Sequence, residues 1–599
     1  MMSERDIQET TGRLLEKWGR EPVNLLQILI ALQQSLHHIP DQAVDLLSST
    51  LNISQASIEG VIGFYSFLHT SPRGEYDILF SDNIIDQMLG SRSLATQLAE
   101  RLCTNPGDTR CDKHISLDYT SCTGMGDQGP AALINGYPLT SLTPERIDRI
   151  TALVEMEVPV TEWPEELFHV SDNIHRRDLL LDSDLPPGRA IESALTQGAG
   201  RLLDSLGNAG LRGRGGAGFK TADKWRFCLQ AAQEQRVVVC NADEGEPGTF
   251  KDRVLLQRYA DRLFEGMTLC AAVVGAQKGF LYLRGEYLYL REPLEQELEQ
   301  RRSNGLLGQA ILGREGFDFD ITIHLGAGAY ICGEESALIE SLEGKRGIPR
   351  IRPPFPVTHG YLGYPTVVNN VETFIAAAMI AVYGADWFRA KGTEASTGTK
   401  LLSISGDCQR PGIYEYPFGT TLSEILDDCG AEETQAVQIA GPAGHWVAPE
   451  EFHRTIAFED LATGGSFMIF NRSRSLLEAV KNFTNFFVHE SCGFCTPCRV
   501  GTTLLKKQLN KILNTHATRK DLESIETIGT LMQETSHCGL GQTAANPILT
   551  SMKKFPLIYK SRLRTTSFEP TFDLDASLEE ARLATGRDDP GAHLKRGGV

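Results

Sequence analysis

The sequence is short of basic residues. It has 58 Lys and Arg against 77 Asp and Glu in 599 residues, which gives a formal net charge of −19 at pH 7. Proteins that bind nucleic acid, or that attach to an anionic membrane surface, need a basic face. The charge balance therefore argues against nucleic acid and against a membrane as partners.

Long apolar runs and a signal peptide are also missing. The longest apolar runs, such as FIAAAMIAVYGA at 374–385, fall well short of the ~20 residues of a transmembrane helix. The charged start, MMSERDIQETTGRLLEKWGR, has no apolar core. Most of the 13 cysteines stand singly, which suits reduced thiols better than a disulfide framework. We therefore expect a cytoplasmic protein.

The chain is longer than the single-core domains of most proteins, so we expect a multidomain α/β protein. Short β-rich runs that alternate with helices indicate a layered α/β domain, and apolar stripes at helical spacing indicate a helix bundle near the end. The predicted segments are 1–160, a domain with a helical N-terminal part; 161–200, a linker; 201–397, a Rossmann-like α/β domain; 398–470, a β-grasp domain; 471–570, the helix bundle; and 571–599, a tail. Its polar, glycine-rich end, GRDDPGAHLKRGGV at 586–599, is expected to fray.

Three cysteines lie within seven residues of the predicted bundle. Cys492, Cys495 and Cys498, in ESCGFCTPCRVGT, follow the C-x2-C-x2-C spacing that wraps a chain around one corner of an iron–sulfur cube. The familiar ferredoxin run supplies its next cysteine four residues on, where this chain has Thr502. The pattern therefore needs a fourth ligand from elsewhere.

Cys538 is the candidate for that fourth ligand. It lies in SHCGLGQT, and 40 residues of helix, turn and helix return the chain to the same end of an up-down bundle. Gly539 and Gly541 would let the backbone approach a cluster closely. A structural zinc site is the alternative, although zinc frameworks usually present two C-x2-C pairs. With zinc, the chain would be a non-catalytic docking scaffold.

A glycine-rich loop, GLRGRGGAGFKTADKW at 210–225, presents many backbone N–H groups that suit a phosphate. The preceding residues have a helix-and-loop pattern instead of a strand, so the ordinary dinucleotide fingerprint does not apply. Lys224 adds a cation. Phe219 and Phe227 can sandwich a flat ring or fill core, and for Trp225 we expect core.

Acidic and amide side chains follow the predicted strands. They occur in VVVCNADEGEPGTFKDR (237–253), in HLGAGAYICGEESALIESLEGKRGIPRIRPPFP (324–356) and in VVNNVETF (367–374). Carboxylates at the C-terminal edge of an α/β sheet lie where such folds bind ligands, and they accept hydrogen bonds from ribose hydroxyls. No P-loop, Ser-His-Asp or His-x-x-x-His pattern is present, so we predict no catalytic side chain.

These motifs, in this order and at these separations, resemble the flavin-bearing, NADH-oxidising subunit family of respiratory complex I, over roughly 200–560. The match rests on the glycine loop, NADEGEPGTFKDR, GAGAYICGEESALIESLEGKRG, NNVETF, ESCGFCTPCRVG and HCGLG. Residues 1–160 resemble the thioredoxin-like iron–sulfur subunit that accompanies it. The fusion of the two, and GYLGYPTVVNNVETF, most resemble the diaphorase subunit of soluble NAD-reducing nickel–iron hydrogenases. NAD-dependent formate dehydrogenase has a related subunit.

The resemblance implies that FMN lies in the glycine loop, that NAD(H) stacks above it, and that the four cysteines bind a 4Fe-4S cluster. NADH would give a hydride to the flavin, which would pass single electrons to the cluster. The implied partners are an iron–sulfur electron-transfer subunit and hydrogenase or formate dehydrogenase subunits. The implied FMN and NAD(H) contacts are Gly213, Arg214, Gly215, Gly216, Ala217, Gly218, Phe219, Lys224, Phe227, Asn241, Asp243, Glu244, Gly245, Glu246, Tyr330, Gly333, Glu334, Glu335, Arg352 (where relatives often have Lys), Phe355, Asn369 and Asn370.

The N-terminal domain departs from this family. Its relatives bind a two-iron cluster through C-x4-C and a later C-x3-C. The matching positions here hold Ser81, Asp86, Cys122 and Gly126. Cys103 and Cys111 lie nearby in sequence, but in a predicted loop away from the matching strand end. We therefore predict that residues 1–160 keep the fold as a docking surface without a metal.

Overall fold

Three β-sheets and a C-terminal group of helices organise the chain, of which a computed structural model describes residues 4–565 and 574–588. The first sheet has the order β2-β1-β3-β4, with β1 parallel to β2 and antiparallel to β3. Four helices with buried apolar faces precede it. The bounds are α1 (Glu4–Trp18), α2 (Leu25–Leu36), α3 (Asp41–Leu51), α4 (Gln55–Ile62), β1 (Tyr76–Ser81), α5 (Ile84–Met88), α6 (Ser91–Arg101), β2 (Ile115–Thr120), β3 (Ala132–Ile134), β4 (Tyr137–Leu139) and α7 (Pro144–Glu155).

The second sheet is fully parallel, in the order β8-β7-β6-β9. Its strands are largely buried on both faces, as is usual where helices cover both sides of a parallel sheet. The bounds of this segment are β5 (Ile174–Arg176), α8 (Leu179–Asp182), α9 (Arg189–Gln197), α10 (Ala199–Ala209), α11 (Thr221–Gln230), β6 (Val237–Ala242), α12 (Lys251–Arg258), α13 (Ala260–Val274), β7 (Lys278–Leu283), α14 (Arg291–Ser303), β8 (Asp320–Leu325), α15 (Glu335–Leu342), β9 (Thr366–Asn370), α16 (Val371–Tyr383) and α17 (Ala385–Arg389).

The third sheet is mixed and has the order β13-β12-β14-β10-β11-β5. Strands β10 and β11 pair antiparallel, β10 pairs parallel with β14, and one helix packs against this sheet. The bounds are β10 (Thr399–Gly406), β11 (Gly412–Pro417), α18 (Leu422–Cys429), β12 (Thr434–Ile439), β13 (His445–Val447) and β14 (Ser466–Asn471).

Helices make up the C-terminal part of the described chain. The apolar stripe of the first of them, which includes Val480, Phe483 and Phe487, is buried in the core. The bounds are α19 (Leu476–Glu490), α20 (Thr496–Leu513), α21 (Arg519–Thr535), α22 (Gly539–Thr543), α23 (Asn546–Lys554), α24 (Pro556–Lys560) and α25 (Leu574–Thr585). Among the residues described here, none of the helices has the length and apolar character needed to cross a membrane.

Two sequence predictions differ from this architecture. The segment 161–200, expected as a linker, contains β5, which joins the third sheet beside β11, and α9, which buries Ala190, Ile191 and Ala194. Its prolines belong to short turns between ordered elements, which composition alone does not distinguish from a linker. The tail 571–599 contains α25, and of the end that is predicted to fray, 586–599, residues 589–599 lie outside the described residues.

Candidate functional site

The C-terminal edge of the parallel sheet brings two predicted amides together. Asn241, one residue before the end of β6, lies beside Asn370 at the end of β9, because these strands pair in parallel register. Asn241 donates a hydrogen bond of 2.8 Å to the carbonyl oxygen of Gly333, which lies beyond the end of β8. Asp243 follows directly on the loop. Residues predicted from three separate motifs therefore meet at one edge, where ligands bind in open α/β sheets.

The glycine loop lies between α10 and α11 and borders this edge. It closes through a 2.8 Å hydrogen bond from the N–H of Gly213 to the carbonyl of Phe219. In the described part of the chain, the backbone N–H groups of residues 215–218 have no hydrogen-bond acceptor. A Cβ on Gly215 would lie 3.4 Å from Cβ of Asn370. Free N–H groups beside the sheet edge fit the phosphate of a nucleotide.

Lys224 is the cation beside the loop. Its Nζ lies 2.9 Å from Glu335 Oε2 and 3.0 Å from the carbonyl oxygen of Val368. Arg352 adds a second positive charge, 3.2 Å from Glu334 and 3.6 Å from Glu335. The two cations and two carboxylates form one charged rim, and they bring together four of the predicted residues.

The carboxylate of Asp243 has a free acceptor. Its Oδ2 is buried and has no hydrogen-bond partner within the described residues. Burial raises the pKa of Asp243 well above its usual value. A buried polar atom without a partner carries a substantial cost, which a donor from a ligand removes. The hydroxyls of the ribityl chain of FMN are donors of the required kind, so the site fits this group.

Three predicted contacts have structural tasks that the sequence did not reveal. Both oxygens of Glu244 accept main-chain N–H bonds at the start of α12, at 2.8 and 3.1 Å. Glu334 caps α15 by accepting the N–H groups of Ser336 and Ala337, each at 3.0 Å. The guanidinium of Arg214 is buried and donates to the carbonyl of Thr397 at 3.0 Å and to that of Arg212 at 3.3 Å. These side chains position the loops that carry the site.

A buried ionic network, missed from the sequence, lies behind Asn370. The Asn370 amide donates to Asp252 at 2.6 Å and accepts from Lys251 at 3.1 Å. Lys251 also pairs with Glu372 at 3.2 Å, and Glu372 pairs with Lys400 of the third sheet at 2.5 Å. The network fixes the orientation of the Asn370 amide. Apart from Lys400, its residues lie inside the quoted motifs, but nothing in the sequence marks them as a network.

Three predicted aromatics lie on the surface. Phe219 is 51% exposed, Phe227 49% and Phe355 52%, whereas Trp225 is fully buried, as predicted. Exposed aromatic rings are available to stack on a flat heterocycle. The Trp225 indole donates instead to Asn369 at 2.9 Å and fixes that predicted amide.

Glu246 faces inward. Its carboxylate accepts a 2.5 Å hydrogen bond from the Tyr330 hydroxyl and a 2.8 Å bond from the N–H of Ala443. Burial raises its pKa to about 7. Gly245 contacts the Tyr330 ring, since a Cβ there would lie 3.1 Å from it. Glu246 thus links Tyr330 to the segment between β12 and β13 of the third sheet.

The four predicted ligand cysteines line one small cavity. Cys492, Cys495, Cys498 and Cys538 surround it, together with Ile331 and Leu540 among others. A Cβ on Gly541 would lie 2.9 Å from Cys498 Cβ, so glycine permits the close approach here; Gly539 has open space. Within residues 4–565 and 574–588, no three His, Cys, Asp or Glu side chains are arranged to hold a single metal ion. The thiolate set and the cavity fit a cluster of the kind that cysteines ligate.

One short turn, Tyr330–Gly333, joins the two sites. Gly333 accepts the hydrogen bond of Asn241 at the sheet edge, and Ile331 lines the cysteine cavity. The N–H of Tyr330 donates 3.0 Å to Glu490, which ends α19 two residues before Cys492. The sheet edge and the cysteine cavity are therefore adjacent.

Three of the four positions at which relatives have ligand cysteines, Ser81, Asp86 and Cys122, meet in a hydrogen-bonded group around Asn83, whereas Gly126 lies against Phe250. The amide nitrogen of Asn83 donates to Ser81 at 2.9 Å, to Asp86 at 2.6 Å and to the Cys122 sulfur at 3.3 Å. Asp86 also accepts the N–H of Ala131 at 2.9 Å. All four grouped side chains are buried, whereas Cys103 and Cys111 are exposed. The Asn83 amide therefore lies between three of the positions that would have to ligate a cluster.

Three family models match the chain. Residues 206–379 match the Nuo51 FMN-binding domain, 478–562 the NADH-ubiquinone oxidoreductase-F iron-sulfur binding region, and 11–155 the thioredoxin-like [2Fe-2S] ferredoxin. These matches confirm the predicted FMN domain, the 4Fe-4S region and the thioredoxin-like N-terminal domain. The zinc alternative is thereby set aside. The individual cofactor contacts remain predictions.

Similar proteins extend the match to nearly the whole chain. The NAD-reducing hydrogenase HoxS subunit alpha of Cupriavidus necator is 44% identical over 580 residues, which cover 94% of this chain and 96% of that protein. An NADH-quinone oxidoreductase subunit of Aquifex aeolicus is 41% identical over 375 residues, covering 61% of this chain and 87% of that protein. A chain in the crystal structure of NAD+-reducing [NiFe]-hydrogenase in the H2-reduced state superposes with a TM-score of 0.89 at 44% identity, covering 96% of this chain and 100% of that one.

Proposed function

Because this chain belongs to the family of the NAD-reducing hydrogenase alpha subunit, we propose that it is a diaphorase module. It exchanges a hydride between NAD(H) and FMN, and single electrons between FMN and its 4Fe-4S cluster. The turn Tyr330–Gly333 carries this proposal, because it contacts both the flavin-side sheet edge and the cysteine cavity. Electrons would cross only this short span.

The complex we propose is an NAD-reducing hydrogenase that catalyses H2 + NAD+ = H+ + NADH. The hydrogenase subunit matches 94% of this chain, including its N-terminal domain, whereas the NADH-quinone oxidoreductase subunit matches 61%. The partners would be an iron–sulfur electron-transfer subunit and the hydrogenase subunits, in the cytoplasm. We also propose a Rossmann-like fold for 201–397 and a β-grasp for 398–470; the parallel sheet and the mixed order β11-β10-β14-β12-β13 support these assignments.

The side chains of the site bind and orient instead of transferring protons. The N–H groups of the glycine loop and Lys224 would hold the FMN phosphate, while Asp243 and the amides of Asn241, Asn369 and Asn370 would hold its polar edge. FMN, when bound, accepts two electrons as hydride and releases them one at a time. We leave the Glu244, Glu334 and Arg214 side chains out of the contact set, because they hold loops in place.

Phe219, Phe227 and Phe355 would receive the nucleotide, with the adenine between Phe219 and Phe227. The rate then depends on stacking geometry, because positioning of donor and acceptor is the main contribution that the protein makes to hydride transfer. Glu335 and Arg352 lie on the rim where the remaining nucleotide would pass.

Lys224→Ala tests the FMN assignment. Removing the cation should weaken FMN binding at least about tenfold, since charged hydrogen bonds contribute roughly 1.5–3 kcal/mol. Lys220→Ala is the matched control, because Lys220 is exposed on the same loop. Titration of the FMN-free chain with FMN, followed by flavin fluorescence, measures both. Equal affinity in the two variants contradicts the assignment.

Cys538→Ala tests whether a cluster bound by the four cysteines passes electrons to a partner subunit. We expect loss of cluster iron and of electron transfer to a partner, while NADH still reduces an artificial acceptor through FMN. Cys111→Ala, which removes an exposed cysteine, should keep both activities and the iron. A complete four-iron signal in the Cys538 variant would show that another residue is the fourth ligand.

A further inference from the structure

A segment of the third sheet, residues 457–465, lies against the glycine loop. It connects β13 to β14 and lies outside the residues 206–379 that match the FMN-binding domain. A Cβ on Gly464 would lie 3.3 Å from the carbonyl oxygen of Gly215. The backbone that is proposed to bind a phosphate is therefore supported by a part of the chain that none of the sequence motifs includes.

Phe458 of this segment contacts both ends of the loop tip. The guanidinium of Arg212 lies over its ring, with 4.0 Å between Cζ and the ring centroid. A Cβ on Gly218 would lie 2.5 Å from the same ring, and Gly218 has φ +65. Glycine accepts this backbone conformation, and only the absence of a side chain permits the close contact. One aromatic ring therefore packs against positions 212 and 218 at once.

Arg212 links the two ends of the loop tip. Its Nε donates a 2.7 Å hydrogen bond to the carbonyl oxygen of Gly218. This bond helps to hold the tip in the shape in which, among the described residues, the N–H groups of 215–218 have no acceptor. A guanidinium over an aromatic face is attracted by the ring. Phe458 thus holds Arg212 in place, and Arg212 holds the shape of the loop.

The third sheet in turn holds Phe458. Its N–H donates a 2.9 Å hydrogen bond to the hydroxyl of Ser396, which is fully buried. Its ring contacts Phe418, with 5.2 Å between the centroids, and packs against the apolar core of this sheet. Backbone and ring are both fixed, so the position of Phe458 does not depend on the glycine loop.

The next residue of the segment reaches the other side of the site. Gly465 has φ +134, and a Cβ there would lie 2.9 Å from Cδ of Lys251. Lys251 donates to Asn370 at 3.1 Å, and the carbonyl of Gly465 accepts the N–H of Ser403 in β10 at 2.7 Å. The pair Gly464–Gly465 therefore contacts both the glycine loop and the buried network that orients Asn370.

We propose that Phe458 and the Gly464–Gly465 pair are positioning residues for the phosphate of FMN: they hold the glycine loop in the shape whose free N–H groups bind that phosphate. The inference rests on the proposed function, which places the FMN phosphate in this loop. The positioning residues act through the loop and do not touch the phosphate. Riboflavin has the same ring and ribityl chain without the phosphate, so their loss should weaken the binding of FMN and spare that of riboflavin.

The test titrates the full chain, freed of FMN, with FMN and with riboflavin, and follows flavin fluorescence. In Phe458→Ala the ratio of FMN affinity to riboflavin affinity should fall at least about fivefold, since the ring no longer holds Arg212. Phe458→Tyr keeps the ring and should keep the ratio. The matched control is Phe452→Ala, which removes another partly buried ring from the same apolar core and should lower the thermal midpoint without changing the ratio.

Gly464→Ala keeps the test decisive if Phe458→Ala does not fold. It adds one methyl group against the carbonyl of Gly215 and should also lower the ratio.

Lys224→Ala separates this inference from the proposed function. A ratio that falls in Lys224→Ala but stays unchanged in Phe458→Ala and Gly464→Ala would overturn the inference and leave the FMN assignment standing. An unchanged ratio in all three variants would overturn both. A raised KM for NADH in Phe458→Ala, with an unchanged ratio, would mean that the loop binds the pyrophosphate of the nucleotide, and it would also overturn the inference.

Discussion

The main-chain N–H of Tyr330 donates a 3.0 Å hydrogen bond to the carboxylate of Glu490. The other oxygen of Glu490 accepts a 2.6 Å bond from the Ser121 hydroxyl of the N-terminal domain. Glu490 thus joins three parts of the molecule: the turn Tyr330–Gly333, the helix α19 that leads into the cysteines of the cavity, and the first domain. Burial raises its pKa.

Glu490→Ala should lower the thermal midpoint, because it leaves two half-buried donors, the Ser121 hydroxyl and the Tyr330 N–H, without their acceptor, at a cost of at most roughly 1–3 kcal/mol each. Electron transfer from NADH to the cluster should slow, because the turn Tyr330–Gly333 loses its link to α19. Electron transfer to an artificial acceptor at the flavin should change less. Rapid-mixing absorbance measures both steps. Glu490→Gln keeps an acceptor oxygen and should fall between the wild type and the Ala variant; two identical variants would argue against the role of these bonds.

Phe219→Ala should raise KM for NADH about three- to tenfold with little change in kcat. The physical reason is the loss of one stacking partner, worth ~0.5–1.5 kcal/mol, from an interaction made equally in the bound and transition states. Steady-state kinetics with an artificial acceptor measures both KM and kcat. The control is Tyr137→Ala, which removes another exposed ring, in the N-terminal domain. An unchanged KM in Phe219→Ala would place the nucleotide elsewhere.

The candidate site is largely predictable where chemistry fixes the residue type. The sequence assigns Cys538 to the cluster, 40 residues from its partners, because an up-down bundle returns the chain, and the four cysteines do line one cavity. It also assigns Trp225 to the core, and the indole is fully buried.

The sequence is a poor guide where one residue type serves two purposes. A carboxylate that caps a helix, as Glu334 does, and one that binds a ribose have the same local signature. Ion pairs between residues far apart in sequence, such as Glu372 and Lys400, depend on how the sheets pack. No local sequence pattern encodes this packing. The linker prediction for 161–200 differs from the structure because turn-forming prolines mask the small apolar residues of α9.

Glu246→Gln should make the unfolding of the nucleotide-free chain less pH-dependent. The folded pKa of Glu246 is raised from 4.5 to about 7, so the folded state holds this proton more tightly than the unfolded one. The resulting stabilisation is complete below pH ~4.5 and is lost as the pH rises towards ~7, by about 1.4 kcal/mol per pH unit at most. The glutamine variant, which stays neutral, should match the wild type near pH 5 and be more stable at pH 8. Parallel thermal midpoints across this range would contradict the raised pKa.

The N-terminal domain should hold no two-iron cluster. A thiolate cluster needs four soft ligands, and the amide of Asn83 already spans Ser81, Asp86 and Cys122 with hydrogen bonds of 2.9, 2.6 and 3.3 Å. Burial raises the pKa of Cys122, which opposes the thiolate form. Iron analysis of the full chain should give about four irons, the content of one 4Fe-4S cluster.

Paired variants decide between the two sites. Cys122→Ser should keep all the iron and the EPR spectrum of the reduced chain, whereas Cys538→Ser should lose most of the iron, because only the second cysteine faces the cluster cavity. Asn83→Ala would remove the donor that binds the three side chains together and should lower the thermal midpoint without changing the iron content. About six irons per chain, with a rhombic two-iron signal that disappears in Cys122→Ser, would contradict this prediction.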